Sequence, residues 1–205
     1  MASADEVALV AILRGVTPER VVEIGNVLYE AGFRMIEVPL NSPDPFASIA
    51  ALASCKRPDC IVGAGTVLNV ADVQRTQDAG GNLIVAPNCD PEVIRRSVQL
   101  GLRVIPGFAT ATEAFQAIQA GAQDLKLFPA STYGPAHVQA LRAVLPRTVR
   151  ILPVGGVGAR DIPGWLAAGA GGFGLGSELF RPEYDVADVG RRAAELVRAV
   201  RGVRS

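Results

Sequence analysis

Short apolar runs alternate with stretches at helical spacing along the whole chain, and this alternation is the strongest constraint on its fold. The runs read ALVAILRG (8–15), RMIEVPL (34–40), CIVGAGT (60–66), LIVAP (83–87), RVIPG (103–107), DLKLFP (124–129), RILPVGG (150–156) and GFGLGS (172–177). Brief, β-branched-rich runs bounded by Gly or Pro are buried strands. Between them lie helical patterns such as 18–32 and 91–101; in the first, Val22, Leu28 and Ala31 are expected to share a buried face. Most of these stretches close on Ala-Gly or Leu-Gly, at Gly32, Gly80, Gly101, Gly121 and Gly169. A glycine just past a helix accepts the left-handed conformation that ends it.

Strand, helix, glycine, strand, repeated every 20 to 26 residues or so, predicts a parallel sheet with right-handed crossovers. Eight repeats predict a single closed (β/α)8 TIM barrel over residues 1–205, near the lower size limit of that fold. An open doubly wound sheet is the alternative. No linker or composition shift suggests a second domain. With 49% hydrophobic and 20% charged residues the chain reads as globular, and with 5% aromatics its core must rest on aliphatic packing.

Equal numbers of acidic and basic residues argue against a general nucleic-acid binder, which needs a basic face. The N-terminal stretch MASADEVALVAILRG lacks the pattern of a signal peptide, and no apolar run is long enough to span a membrane. Cys55, Cys60 and Cys89 are odd in number and never spaced C-x-x-C, which suits reduced thiols and a cytoplasmic location. With His137 as the only histidine, a His-rich zinc site is unavailable, and neither metal nor cofactor is expected.

In a (β/α)8 barrel the site lies where strands end and the following loops begin. Those ends read Arg14, Glu37, Thr66, Asn88, Gly107, Lys126, Gly155-Gly156 and Gly176-Ser177. Lys126 stands out, because Lys56 is the only other lysine among 20 Lys and Arg residues. A snorkelling lysine is one reading. A wanted amine is the other: flanking Leu125, Leu127 and Phe128 would lower its pKa and free the amine to attack a ketone, forming a Schiff base. Arginine could not do this.

Glu37 lies between Ile36 and Val38. It is either half of a buried ion pair, with Arg34 or Lys126, or a proton shuttle whose pKa burial raises toward neutrality. The turns PVGGVGARD and GLGSELF expose backbone N–H groups after the seventh and eighth strands, where such barrels hold phosphate. In GAGT (63–66) the glycines would let a ligand approach the backbone while Thr66 adds a hydroxyl. Arg14 is a candidate carboxylate fork.

Together AILRG, EVPLNSP, GAGTVL, LIVAPN, PGFATATEAF, LKLFPAS, PVGGV and GLGS resemble the class I 2-keto-3-deoxy-6-phosphogluconate and 6-phosphogalactonate aldolases, nearly end to end and in order. The resemblance implies reversible cleavage of a 2-keto-3-deoxy-6-phosphosugar acid to pyruvate and D-glyceraldehyde 3-phosphate, on a barrel usually assembled as a homotrimer. It implies that Lys126 forms the Schiff base and Glu37 is the acid/base. Arg14 and Thr66 would hold the carboxylate end of the substrate, and Gly156, Gly176 and Ser177 its phosphate. The gluconate branch typically has Arg-Thr where this chain has Asn41-Ser42, and Thr where it has Val154. Those differences, with Arg14, resemble the galactonate branch. The alternatives are the gluconate epimer as main substrate, a noncovalent phosphate-binding isomerase, a pyridoxal-phosphate barrel, and a catalytically inactive sugar-acid-binding or scaffold protein.

Overall fold

A computed structural model describes residues 7–203. The first six residues of the N-terminal stretch and the last two of the predicted domain lie outside the described residues. Every predicted apolar run contains a strand: β1 (Ala8–Ile12), β2 (Met35–Pro39), β3 (Ile61–Gly65), β4 (Leu83–Val85), β5 (Arg103–Ile105), β6 (Gly107–Phe108), β7 (Asp124–Leu127), β8 (Arg150–Pro153) and β9 (Gly172–Leu175). The fifth run, read from sequence as one strand, is split at Pro106 into β5 and β6. Proline has no N–H to give the ladder, although its carbonyl still accepts from Lys126 N at 2.8 Å.

Helices follow the strands: α1 (Pro18–Ala31), α2 (Pro45–Ser54), α3 (Val70–Asp78), α4 (Pro91–Gln99), α5 (Ala111–Gln119), α6 (Ala130–Arg142), α7 (Ile162–Ala167) and α8 (Val186–Gly202). All five glycines predicted to close helices adopt φ between 71° and 113°. The buried face of α1 differs from expectation. Val21, Ile24, Gly25 and Leu28 are buried, whereas Val22 and Ala31 are only half-buried. Packing against α2 and α8 rotates the stripe by one position.

All strand pairs are parallel. Six form one sheet in the order β5-β4-β3-β2-β1-β9, and three form another, β6-β7-β8. A single bridge, Val154 to Gly174, joins β8 to β9. Strand order runs sequentially, without the reversal that a doubly wound sheet requires.

Period-two alternation sorts each strand. Leu9, Ala11, Ile36, Val38, Leu125 and Leu127 belong to the larger core, shared with the helices. Ala8, Val10, Met35, Leu83, Val85, Ile105 and Leu152 form a second cluster on the opposite face. Glu37 and Lys126 fall in register with that second face. So does Asp124, which closes the strands' N-terminal end by accepting from Arg103 at 2.6–2.8 Å and Arg150 at 2.6–3.0 Å. Buried acid is thus paired at one end of the strands, and buried amine lies near the other.

Candidate active site

The carboxyl ends of the strands surround a cavity of about 380 Å³. Arg14, Thr66, Lys126, Val154, Gly156, Gly176 and Ser177, seven of the sequence-predicted residues, line it. Glu37 sits one layer deeper. It is the middle residue of β2, opposite Ile12 and Gly63, and not at the strand end as the sequence reading placed it. It reaches the site through a pit of about 10 Å³ beneath the mouth, which Lys126 and Val154 also line. Such a pit has room for about one water. Two of the strand-end residues, Asn88 and Gly107, do not line the mouth; Asn88 uses its carbonyl to accept from Gly107 N at 3.2 Å.

Lys126 is 6% exposed and Glu37 1%. No ion pair within salt-bridge distance joins them among the described residues, and the buried Oε2 of Glu37 has no hydrogen-bond partner. Burial pushes the Glu37 carboxyl up to about 7, against the pull of the Lys126 and Arg14 charges. Burial likewise holds the Lys126 ammonium below the usual lysine range, opposed by Glu37 and assisted by Arg14. Arg34, a possible partner for Glu37 on the sequence reading, pairs instead with Asp59 at 2.7 Å. Lys126 Nζ lies 4.9 Å from the centroid of the Phe128 ring, which forms one wall of the mouth.

The glycines of GAGT act differently from expectation. A Cβ on Gly65 would stand 1.6 Å from Glu37 Oε2, so this glycine makes room for a carboxylate of the protein itself. Gly63 likewise admits the Leu83 backbone, at 1.9 Å from its would-be Cβ. Thr66, next in the chain, has φ +57°. A β-branched residue in the left-handed region is strained, and such strain gathers at functional sites.

Arg14 is held in place. Its Nη1 donates to Asn41 Oδ1, and Gly15 N donates to Ser42 Oγ at 2.9 Å. The loop after β1 is therefore tied to the loop after β2, with Arg14 on the rim of the mouth. The sequence reading noticed Asn41 and Ser42 only as differences from a motif; their function in the fold needed the two loops side by side.

At the other side of the mouth are the two glycine turns, with Gly155 at φ 96° and Gly156 at φ 72°. Among the described residues no acceptor takes the backbone N–H groups of Gly156, Val157, Ser177 or Glu178. All four residues line the cavity. Four backbone amides left without a protein acceptor beside one cavity are the kind of group that can hold an anion. Arg181, which the sequence reading passed over, adds a cation on the same rim. Within the described residues no His, Cys, Asp and Glu cluster could hold a metal ion.

A buried amine beside a near-neutral carboxyl, with a guanidinium on one side and an amide cradle on the other, is laid out for a keto acid that carries phosphate. Comparison with known proteins agrees. The model of the KDPG and KHG aldolase family matches residues 2–191. The chain belongs to the KDPG/KHG aldolase family. It is 46% identical over 193 residues to the 2-dehydro-3-deoxy-6-phosphogalactonate aldolase of Escherichia coli K12, covering 94% of each chain. It is 47% identical over 191 residues to the probable 2-dehydro-3-deoxy-6-phosphogalactonate aldolase of Rhizobium meliloti strain 1021, covering 93% of this chain and 90% of the relative. A solved structure described as native KDPGal superposes with a TM-score of 0.94 at 45% identity, over 96% of this chain and 95% of that one. In this KDPG/KHG aldolase chain the family match therefore spans every residue of the mouth and the pit.

Proposed function

We propose that this chain is a class I aldolase that reversibly cleaves 2-dehydro-3-deoxy-6-phosphogalactonate to pyruvate and D-glyceraldehyde 3-phosphate, with Lys126 as the Schiff-base nucleophile and Glu37 as the acid/base. The observation that carries the reading is the buried Lys126–Glu37 pair, which meets at the floor of the mouth without an ion pair. The names of the relatives support the substrate class.

The chemistry follows from the two protonation states. Neutral Lys126 attacks C2 of the keto acid, and the carbonyl oxygen takes up a proton to give the carbinolamine. Glu37, through one water in the pit, supplies the proton with which the hydroxyl departs as water, leaving an iminium. Glu37, now ionised, accepts the C4 hydroxyl proton as the C3–C4 bond breaks and its electrons flow to the iminium nitrogen. The aldehyde phosphate leaves, the enamine is protonated at C3, and water releases pyruvate and the free amine. A carboxyl with a pKa of about 7 is suited to giving and taking protons near neutrality. A noncovalent isomerase would have no use for a desolvated amine.

Arg14, fixed by Asn41, and Thr66 would take the carboxylate end; Gly156, Gly176 and Ser177 the phosphate. Holding both ends orients C3–C4 over the pit, and such orientation contributes several kcal/mol, up to roughly 10. We read the two sheets as parts of one closed (β/α)8 barrel in a single domain. The Val154–Gly174 bridge and the one-residue separation of β5 from β6 support this. A homotrimer and a cytoplasmic location complete the reading, the first resting on the family resemblance and the second on three free cysteines.

Borohydride reduction in the presence of pyruvate tests the core of the proposal. Peptide mass spectrometry should find the reduced three-carbon adduct on Lys126. An unmodified Lys126, or an adduct confined to Lys56, would overturn it.

A further inference from the structure

We propose that the end of the fold opposite the catalytic mouth carries a second site, for a small oxyanion, built from Lys56, Arg57 and Asn82. These residues line a cavity of about 190 Å³ at the N-terminal ends of β3 and β4. No carboxylate lines it. Its size is below the roughly 300–1,000 Å³ of pockets that enclose whole organic ligands, which suits a free tetrahedral ion or the phosphate head of a small ester.

Charge makes the case. Arg57 is half-buried, and its side chain donates only to a neutral amide, Asn26 Oδ1, at 2.5 Å from Nη2. Its buried Nη1 has no partner. The nearby carboxylate, Asp59, is already held by Arg34 and by the Tyr29 hydroxyl. A half-buried cation without a counter-ion is unfavourable, because charges withdrawn from water are normally paired. Beside it stands a second cation. Lys56 has φ +45°, just past the end of α2, a position where glycine or asparagine would be unstrained. The chain has one other lysine, Lys126 at the floor of the mouth. Its second lysine thus occupies a strained position that places a positive charge next to an unneutralised guanidinium. Asn82 completes the set: its Oδ1 accepts from Val62 N at 3.1 Å, which fixes the amide and leaves its NH₂ group to donate. The Cys60 thiol, also in the lining, is held neutral by burial and offers no competing anion.

The site is independent of the catalytic reading, and an NMR titration with inorganic phosphate separates the two. The Asn82 side-chain amide and the Val62 backbone amide should shift saturably, apart from the response of Gly156 and Ser177 at the mouth. Lys56→Gln and Arg57→Gln should each weaken the Asn82 response at least tenfold, leaving the mouth response and the turnover at low phosphate unchanged. Lys56 is exposed, so its variant tests the site even if loss of Arg57 impairs folding. Glycerol 3-phosphate in place of phosphate distinguishes an ester head, which also moves Asn82, from a free ion, which alone does so. Unmoved Asn82 and Val62 signals in tens of millimolar phosphate, or equal shifts in wild type and both variants, would overturn the assignment.

Discussion

Replacing Glu37 with glutamine should stabilise the protein, and by an amount that grows with pH. Gln keeps the size of the side chain and fits the space left by Gly65, but it cannot ionise. In the unfolded chain the glutamate titrates near 4.5, and in the fold near 7. A carboxyl whose folded pKa is raised releases its proton more readily from the unfolded state. Ionisation therefore costs the fold nothing below about pH 4.5, and the full amount above about pH 7. A shift of this size corresponds to about 3 kcal/mol, at about 1.4 kcal/mol per unit. The advantage of the variant should be below about 1 kcal/mol at pH 5 and about 3 kcal/mol at pH 8. For a chain of this size each kcal/mol is worth about 2–4 °C, so the gap in Tm should widen by roughly 5–10 °C between those two pH values. Thermal melts of both proteins across pH 5–8.5 are the assay, paired with turnover, which should fall roughly 100-fold or more in the variant. A gap independent of pH, or a wild type more stable than Glu37→Gln at pH 8, would mean that Glu37 is an anion stabilised by Lys126, and the argument for a near-neutral acid/base would fail.

Other outcomes follow from the same geometry. Asn41→Ala should release the Arg14 guanidinium and raise KM for the phosphorylated keto acid several-fold, with a smaller change in kcat; steady-state kinetics showing no change in KM would remove Asn41 from the positioning of Arg14. Ser177→Asp should place a like charge beside the amide cradle and weaken the phosphorylated substrate strongly, with much less effect on an unphosphorylated 2-keto-3-deoxy acid; equal losses on both would place the phosphate elsewhere. Val154 lines both mouth and pit and offers only methyl groups. Val154→Thr should move the kcat/KM ratio toward the gluconate epimer by up to roughly tenfold, the value of one hydrogen bond; a ratio that does not move means that Val154 does not discriminate at C4.

Much of this was determined by the sequence alone. The eight-fold alternation of apolar runs with glycine-closed helices pointed to parallel strands, because short runs bounded by Gly or Pro and separated by helices are joined by crossover connections. The scarcity of lysine, and its placement among leucines, singled out Lys126 as a candidate, and the fold places it, buried, on the cavity wall. Two glycine turns after the last two apolar runs marked the two loops whose unaccepted amides line the cavity, since a glycine's backbone freedom is written in its identity.

What the sequence could not reveal depends on distances across the sheet. Glu37 looked like a strand-end residue, and only the register against Ile12 and Gly63 places it a layer below the mouth. Gly65 looked like a residue yielding to a ligand, and only the neighbouring strand shows that Glu37 is what it accommodates. Arg34 and Lys126 were equally plausible partners for Glu37 until Asp59 was found to claim the arginine. Asn41 and Ser42 mattered only once their loop lay against that of Arg14. Local pattern fixes which face a side chain occupies, because that depends on a period of two. Which atoms meet across that face depends on strand stagger and on the volumes of residues far away in the chain, and these are decided only when the sheet has assembled.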